Sequence, residues 1–160
     1  MRRALHVAWF CAGAALTVTG CHWESRAPTP ALTGALWDIA VSQTMSFSPD
    51  TFSCAPGQHL TIRVTNSLPL RGAEIAHTFV LLKPAVDAEA FGRETLTARP
   101  EDDYIPARLL AQTLAHTRLV RPGDTTEIEI TAPAQPGSYA VVCAFPGHCI
   151  VGMRGQLIVR

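Results

Sequence analysis

Hydrophobic and polar residues alternate over several short stretches of the chain, the pattern of β-strands with one buried and one exposed face. In residues 59–66, Leu60, Ile62 and Val64 alternate with polar residues. Short patterns of this kind also cover residues 37–42, 45–48, 77–82, 127–130, 139–143 and 155–159. Turns containing proline and glycine separate several of them. About seven short strands with such turns predict an all-β protein, an antiparallel β-sandwich.

Residues 85–116 depart from this rhythm. The segment is rich in Ala, Leu, Glu and Arg, and its apolar positions predict helices over residues 86–96 and 105–114. Arg99-Pro100 separates the two helices, because proline disfavours helical backbone in the residue before it. We interpret the segment as a helical flap inserted into the sandwich, not as a second domain.

The N-terminus has the pattern of an export signal. Arg2-Arg3 precede a mostly apolar run over residues 5–20 that contains no charged residue. Val18-Thr19-Gly20-Cys21 resembles the lipobox of bacterial lipoproteins, in which the cysteine is acylated after cleavage. The run is shorter than the about 18–20 residues of a spanning helix. An ordinary signal peptide, a retained anchor and a twin-arginine signal are the alternatives.

Three regions follow from these patterns. Residues 1–20 are predicted to be a lipoprotein-type signal peptide, residues 21–35 a flexible tether from lipidated Cys21, and residues 36–160 the folded domain. The tether contains two prolines and no periodicity. Cleavage would change the formal charge from 0 to −2, since Arg2 and Arg3 leave with the signal. Neither value suggests a nucleic-acid partner, which needs a basic surface.

The five cysteines divide by position. Cys11 would leave with the signal, and Cys21 would carry lipid. Cys54, Cys143 and Cys149 would remain in the domain. Because five is odd, the cysteines cannot all pair within the chain.

A metal-ligand pattern lies near the C-terminus. Cys143, His148 and Met153 place a thiolate, an imidazole and a thioether in one loop of eleven residues, and His77 offers a second imidazole. Two His, one Cys and a weak axial Met are the ligands of a mononuclear blue-copper site. Zinc also binds Cys and His. Zinc sites seldom include Met, however, and the chain has no CxxC or HxxxH motif.

The loop sequence CAFPGHCIVGMRGQLIV, residues 143–159, resembles the copper loop of azurins and auracyanins, which are cupredoxins. Shorter matches support the resemblance. They are residues 44–47, 76–81, 102–104, 115–119 and 122–124. The resemblance covers about residues 36–160. It implies an eight-stranded Greek-key sandwich with one type 1 copper ion near one end.

The resemblance also implies roles for single residues. His77, Cys143 and His148 are the expected equatorial ligands and Met153 the axial ligand, with the carbonyl of Ala76 as a candidate weak axial ligand. Azurins have three residues between the His and Met ligands, whereas this chain has four, as auracyanins more nearly do. The family commonly has Asn after the first His, where Thr78 stands here.

Cys149 is unexpected beside a ligand. If His148 points toward the metal, the side chain of Cys149 should point away from it. Cys54 is expected near the opposite end of the sandwich, and a disulfide needs Cα atoms within about 7 Å. We therefore predict that Cys54 and Cys149 are separate thiols. We assign none of the other histidines to copper, and we expect His59 to face solvent.

The implied function is that of a lipid-tethered one-electron carrier outside the cytoplasm. The resemblance implies that the edge of His148 reaches the surface. An apolar rim around it is the expected docking site, formed by Met45, Phe145, Pro146, Ile150 and Val151. The expected partners are extracytoplasmic redox proteins, either a cytochrome or a copper-dependent reductase. We predict no enzymatic activity and no small-molecule substrate. The alternatives are copper delivery without electron transfer, and an adhesion module.

Overall fold

The computed structural model describes residues 34–41, 44–69 and 75–160. The signal peptide, the lipidation site at Cys21 and nearly all of the tether lie outside these residues, so they stay predictions. No helix in the described ranges is long and apolar enough to cross a membrane.

The domain is a sandwich of two β-sheets with a helical insertion. In the described residues the strands are β1 (Ala35–Val41), β2 (Phe47–Ser48), β3 (Thr51–Cys54), β4 (His59–Asn66), β5 (Val80–Leu82), β6 (Thr113–His116), β7 (Thr125–Thr131), β8 (Gly137–Val142) and β9 (Arg154–Val159). The helices are α1 (Ala88–Glu94) and α2 (Ala107–Leu110). This confirms the all-β class with a small helical insertion.

The two sheets have the strand orders β2-β1-β4-β7 and β3-β9-β8-β5-β6. The expectation of antiparallel pairing throughout is wrong, because β1 runs parallel to β4 and β3 runs parallel to β9. Parallel neighbours need a long crossover connection. The chain provides one in each case, since it passes through the opposite sheet before it returns.

The core lies between the sheets and follows the predicted alternation. In β4, Leu60, Ile62 and Val64 are buried. They pack with Trp37 and Ile39 of β1 in one cluster that also includes residues of β5, β8 and β9. Each fully buried side chain of this size stabilises the fold by about 1.5–3 kcal/mol.

The insertion contains less helix than its composition predicts. Helix α1 begins after Asp87, whose carboxylate accepts the N–H of Ala90 at 2.8 Å, and single helical turns cover Thr95–Thr97 and Pro100–Asp102. The helix predicted over residues 105–114 is wrong beyond Leu110, because Thr113–His116 forms β6 at the edge of the second sheet, paired with β5. Pairing with the sheet satisfies backbone groups that a lone helical turn leaves free.

A second apolar cluster joins the insertion to the outer face of the second sheet. Phe91, Ile105 and Leu109 of the insertion are buried there against residues of β5 and β8. Cys149 belongs to the same cluster. The insertion therefore lies against the loop that follows β8, which is the loop with the predicted metal ligands.

Candidate metal centre

Three of the predicted ligands lie in the loop between β8 and β9. The backbone N–H of Cys143 donates to the carbonyl of Met153 at 3.2 Å, and the N–H of Met153 donates to the carbonyl of His148 at 2.9 Å. The N–H of His148 donates to the carbonyl of Phe145 at 3.0 Å. Gly147 makes this turn with a φ of 86°, a value that glycine adopts without strain. The loop thus holds its ligands by its own backbone hydrogen bonds.

His77 comes from a different part of the chain. It precedes β5, and it exchanges two backbone hydrogen bonds with Val120, at 3.0 and 2.7 Å. Its Nε2 has no hydrogen-bond partner among the described residues. The backbone bridge and close packing therefore fix the ring, with Nδ1 facing the ligand loop.

The four side chains converge on one point. The Sγ of Cys143 lies 3.9 Å from Nδ1 of His77 and 3.5 Å from Nδ1 of His148. The Sδ of Met153 lies 3.2 Å from Nδ1 of His77. Donors bound at about 2.0–2.3 Å in a trigonal arrangement would be about 3.6 Å apart. The spacing of the thiol and the two imidazoles therefore fits a single metal ion.

Burial sets the protonation of the ligands. Burial raises the pKa of the Cys143 thiol to about 11, although hydrogen bonds from the Thr78 backbone, the Phe145 backbone and the Thr78 side chain lower it. Burial, with a smaller effect of the charge on His148, lowers the pKa of His77 to about 4, and burial lowers the pKa of His148. The imidazoles are therefore neutral donors at pH 7. A thiol of this kind loses its proton when a cation binds its sulfur.

Thr78 links the two ligand segments. Its backbone N–H lies 3.4 Å from the Sγ of Cys143, and its hydroxyl accepts the N–H of Ala144 at 2.8 Å. All three residues are fully buried. A threonine therefore links the two ligand segments at the position where the family commonly has asparagine. The adjacency of Thr78 to His77 was visible in the sequence, but its partner Ala144 was not.

This donor set and its shielding from water are those of a blue-copper site. A sequence profile of the copper-binding proteins of the plastocyanin/azurin family matches residues 36–160. The chain belongs to this family. Its cofactor is one type 1 copper ion, and His77, Cys143, His148 and Met153 are arranged as the site of such an ion.

Auracyanins are among the similar members of the family. The chain is 29% identical over 85 residues to auracyanin-B of Chloroflexus aurantiacus, which is 53% of this chain but only 36% of that protein. The structure of auracyanin A, a blue copper protein from the same bacterium, matches with a TM-score of 0.69 and 30% identity, over 80% of this chain and all of that one. The reduced auracyanin of Roseiflexus castenholzii matches with a TM-score of 0.67 and 30% identity, over 81% and 98%.

The other residues singled out in the sequence lie as follows. Of the four ligands, His77, Cys143 and Met153 are fully buried, and only His148 keeps some exposure, 6%. In the predicted rim, Met45, Ile150 and Val151 are exposed, whereas Phe145 and Pro146 are half-buried. Ala76 is buried, and its carbonyl stays a predicted ligand.

Cys54 and Cys149 form no disulfide among the described residues, which confirms that they are separate thiols. Cys54 lies opposite Val159 in the β3–β9 strand pair, at the end of β9 that is away from the ligand loop. The Sγ of Cys149 donates to the carbonyl of Ala88 in α1 at 3.1 Å, so it points away from the site as expected. His59 is exposed, also as expected. Contacts between the insertion and the ligand loop could not be predicted from the sequence, because no local pattern encodes them.

Proposed function

We propose that this protein is an extracytoplasmic one-electron carrier whose type 1 copper ion alternates between Cu(I) and Cu(II). The observation that carries the proposal is the buried convergence of one thiol, two imidazoles and one thioether. The bound ion supplies the redox chemistry, the uptake and release of one electron. A single electron enters from a donor protein and leaves to an acceptor protein, with no bond made or broken in the carrier.

The chain keeps its ligands in place while the charge at the site changes. Backbone hydrogen bonds within the loop and the bridge of His77 to Val120 restrain movement of the imidazoles. Three strong ligands in a trigonal arrangement suit both copper oxidation states. Burial of His77, Cys143 and Met153 excludes water as a further ligand. Little rearrangement is then needed for each electron transfer.

The partner is proposed to dock at the predicted rim. His148 is the one ligand that keeps some exposure, 6%. Ile150 and Val151 follow it in the loop and are 40% and 66% exposed, and Met45 of the predicted rim is 37% exposed. A small apolar contact allows the rapid dissociation that a carrier needs, and redox encounters are among the smallest protein interfaces. The proposed partners are an extracytoplasmic cytochrome or a copper-dependent reductase.

The location follows from the N-terminal pattern. We propose that residues 1–20 direct export and that Cys21 carries a lipid, which ties the domain to a membrane surface. The predicted tether over residues 21–35 would span about 20 Å on average. The domain would then reach several partners without leaving that surface.

The experiment is a reductive titration of the copper-loaded protein, followed by the intense thiolate-to-copper absorption band. We expect the band to disappear with one electron per protein and to return on oxidation. The variant Cys143→Ser should lack the band, whereas Cys54→Ser, a second buried cysteine, should keep it. A loaded wild-type protein without the band would contradict the site.

Copper delivery is tested in the same preparation. A delivery protein should lose Cu(I) rapidly to a modest chelator, whereas a carrier with ligands this buried should retain it. Rapid loss, together with no reduction by any extracytoplasmic cytochrome, would contradict the carrier.

A further inference from the structure

We propose that the helical insertion braces the ligand loop from two sides and thereby sets the position of His148. The residues on either side of this ligand that contact the insertion are Cys149 and Phe145. This inference goes beyond the proposed function. It concerns how the ligand is positioned and holds whether or not the protein transfers electrons.

The first contact is between Cys149 and helix α1. Cys149 is 1% exposed, and its Sγ donates to the carbonyl of Ala88 at 3.1 Å. On the other side, the carbonyl of Cys149 accepts the Nε of Arg154 at 2.9 Å. The residue that follows His148 is therefore fixed both to the insertion and to the first residue of β9.

Gly92 makes this contact possible. A Cβ at Gly92 would lie 2.7 Å from the Cβ of Cys149 and 2.8 Å from its Sγ, closer than packed side chains allow. Glycine inside a helix is unfavourable compared with alanine. Its φ is not in the left-handed region, so the backbone conformation does not require glycine. The requirement comes from the close approach of α1 to the ligand loop.

The second contact is between Tyr104 and Phe145. The ring of Tyr104 meets the ring of Phe145 edge-on at 5.1 Å between centroids, and Phe145 lies 4.5 Å from the ring of His148. Tyr104 and Asp103 both have left-handed backbone, with φ of 61° and 50°. Left-handed backbone is unfavourable in residues other than glycine. The carboxylate of Asp103 accepts the N–H of Leu119 at 2.7 Å, which stabilises this turn.

The two contacts act on the same ligand. His148 stands next to Cys149 in the chain, and its imidazole lies against Phe145. A brace at both places restrains the ring of His148, whereas the backbone of His77 is bridged to Val120 and its ring lies 4.9 Å from that of His148. Tyr104 and Gly92 of the insertion and Cys149 of the loop are thus positioning residues and not ligands.

The test compares variants at the two contacts with a control in the same insertion. Tyr104→Ala removes the ring, Tyr104→Phe keeps it, and Gly92→Ala introduces the excluded Cβ. Leu96→Ala is the control, because Leu96 belongs to the insertion and is 51% exposed. The readouts are the ring resonances of His148 and His77 by NMR in the metal-free protein, and the rate at which Cu(II) passes to a chelator.

We expect Tyr104→Ala to shift the His148 ring resonances more than those of His77 and to speed copper release by about two- to tenfold, the effect of losing one aromatic pair. Tyr104→Phe should restore the wild-type resonances. Gly92→Ala should shift the same resonances although alanine favours the helix. If Gly92→Ala does not fold, the comparison of Tyr104→Ala with Tyr104→Phe tests the proposal. The proposal is overturned if Tyr104→Ala leaves the resonances and the release rate as they are in Leu96→Ala.

Discussion

Replacing Thr78 by valine should destabilise the metal-free protein by about 1–3 kcal/mol. The Thr78 hydroxyl accepts the N–H of Ala144 at 2.8 Å, and both residues are fully buried. Valine has nearly the shape of threonine, so no cavity forms. It cannot accept a hydrogen bond, however, and the N–H of Ala144 would remain buried without a partner. The expected loss is the desolvation penalty of that one group.

The assay is urea unfolding of the metal-free protein. The urea concentration at the midpoint should fall. The slope of the free energy of unfolding against urea concentration should stay constant, because the variant exposes the same surface on unfolding. Thr65→Val is a matched control. Thr65 also makes a side-chain hydrogen bond, to Thr125 at 3.0 Å, but on the exposed face of the first sheet, where water can replace it. That variant should change stability by less than about 0.5 kcal/mol. If Thr78→Val is equally neutral, the hydroxyl does not tie the ligand segments together.

The same substitution has a second expected effect in the copper-loaded protein. The Thr78 side chain lowers the pKa of the Cys143 thiol, so it stabilises negative charge on the sulfur. Reduction to Cu(I) leaves more negative charge on the ligands. Loss of the hydroxyl should therefore lower the reduction potential, which voltammetry measures. A rise in potential would contradict this reading of the contact.

Three further predictions concern pH, the axial ligand and the insertion. The pKa of His77 is lowered from 6.5 to about 4, so the imidazole binds a proton more readily in the unfolded chain than in the folded protein. The metal-free protein should therefore have its full stability above pH 6.5 and lose about 3 kcal/mol of its free energy of unfolding as the pH falls to 4. Urea unfolding across that range checks this, and a flat profile would contradict it. Met153→Leu should raise the reduction potential, since a thioether stabilises Cu(II) more than leucine does; an unchanged voltammogram would mean that Met153 is not a ligand. Phe91→Ala should lower the free energy of unfolding, measured by thermal unfolding, by about 3–5 kcal/mol, because the ring is fully buried in the second cluster. A loss below about 1 kcal/mol would show that the insertion does not depend on this ring.

The ligand loop could be predicted because its information is local. Cys143, His148 and Met153 lie within eleven residues, so their spacing limits how they can face one ion. His77 is 66 residues from Cys143. Its placement depends on the pairing of β5 with β8, which sets Val80 opposite Val142 next to both ligand segments. The family resemblance predicted that His77 joins the other ligands, whereas the spacing of residues along the chain alone did not.

The errors in the predicted fold occur where tertiary pairing overrides local pattern. Residues 113–116, with the sequence TLAH, have no strand alternation of buried and exposed positions, yet they form β6 because β5 offers a free edge. Residues 51–54 are a short edge strand and were predicted as part of no element. The parallel pairs could not be predicted either, because side-chain alternation is the same in both strand directions.

The departures from the azurin pattern lie in contacts around the ligands and not in the ligands themselves. Thr78 stands where the family commonly has asparagine and still links the two ligand segments, since its hydroxyl accepts the N–H of Ala144 and its backbone N–H lies 3.4 Å from the Sγ of Cys143. Cys149 occupies the lengthened loop and binds it to α1, whose Gly92 leaves the necessary space. The thiol beside a ligand was unexplained in the sequence, and Gly92 is a poor helix former inside α1. Together they describe one contact, by which the insertion holds the loop that carries His148.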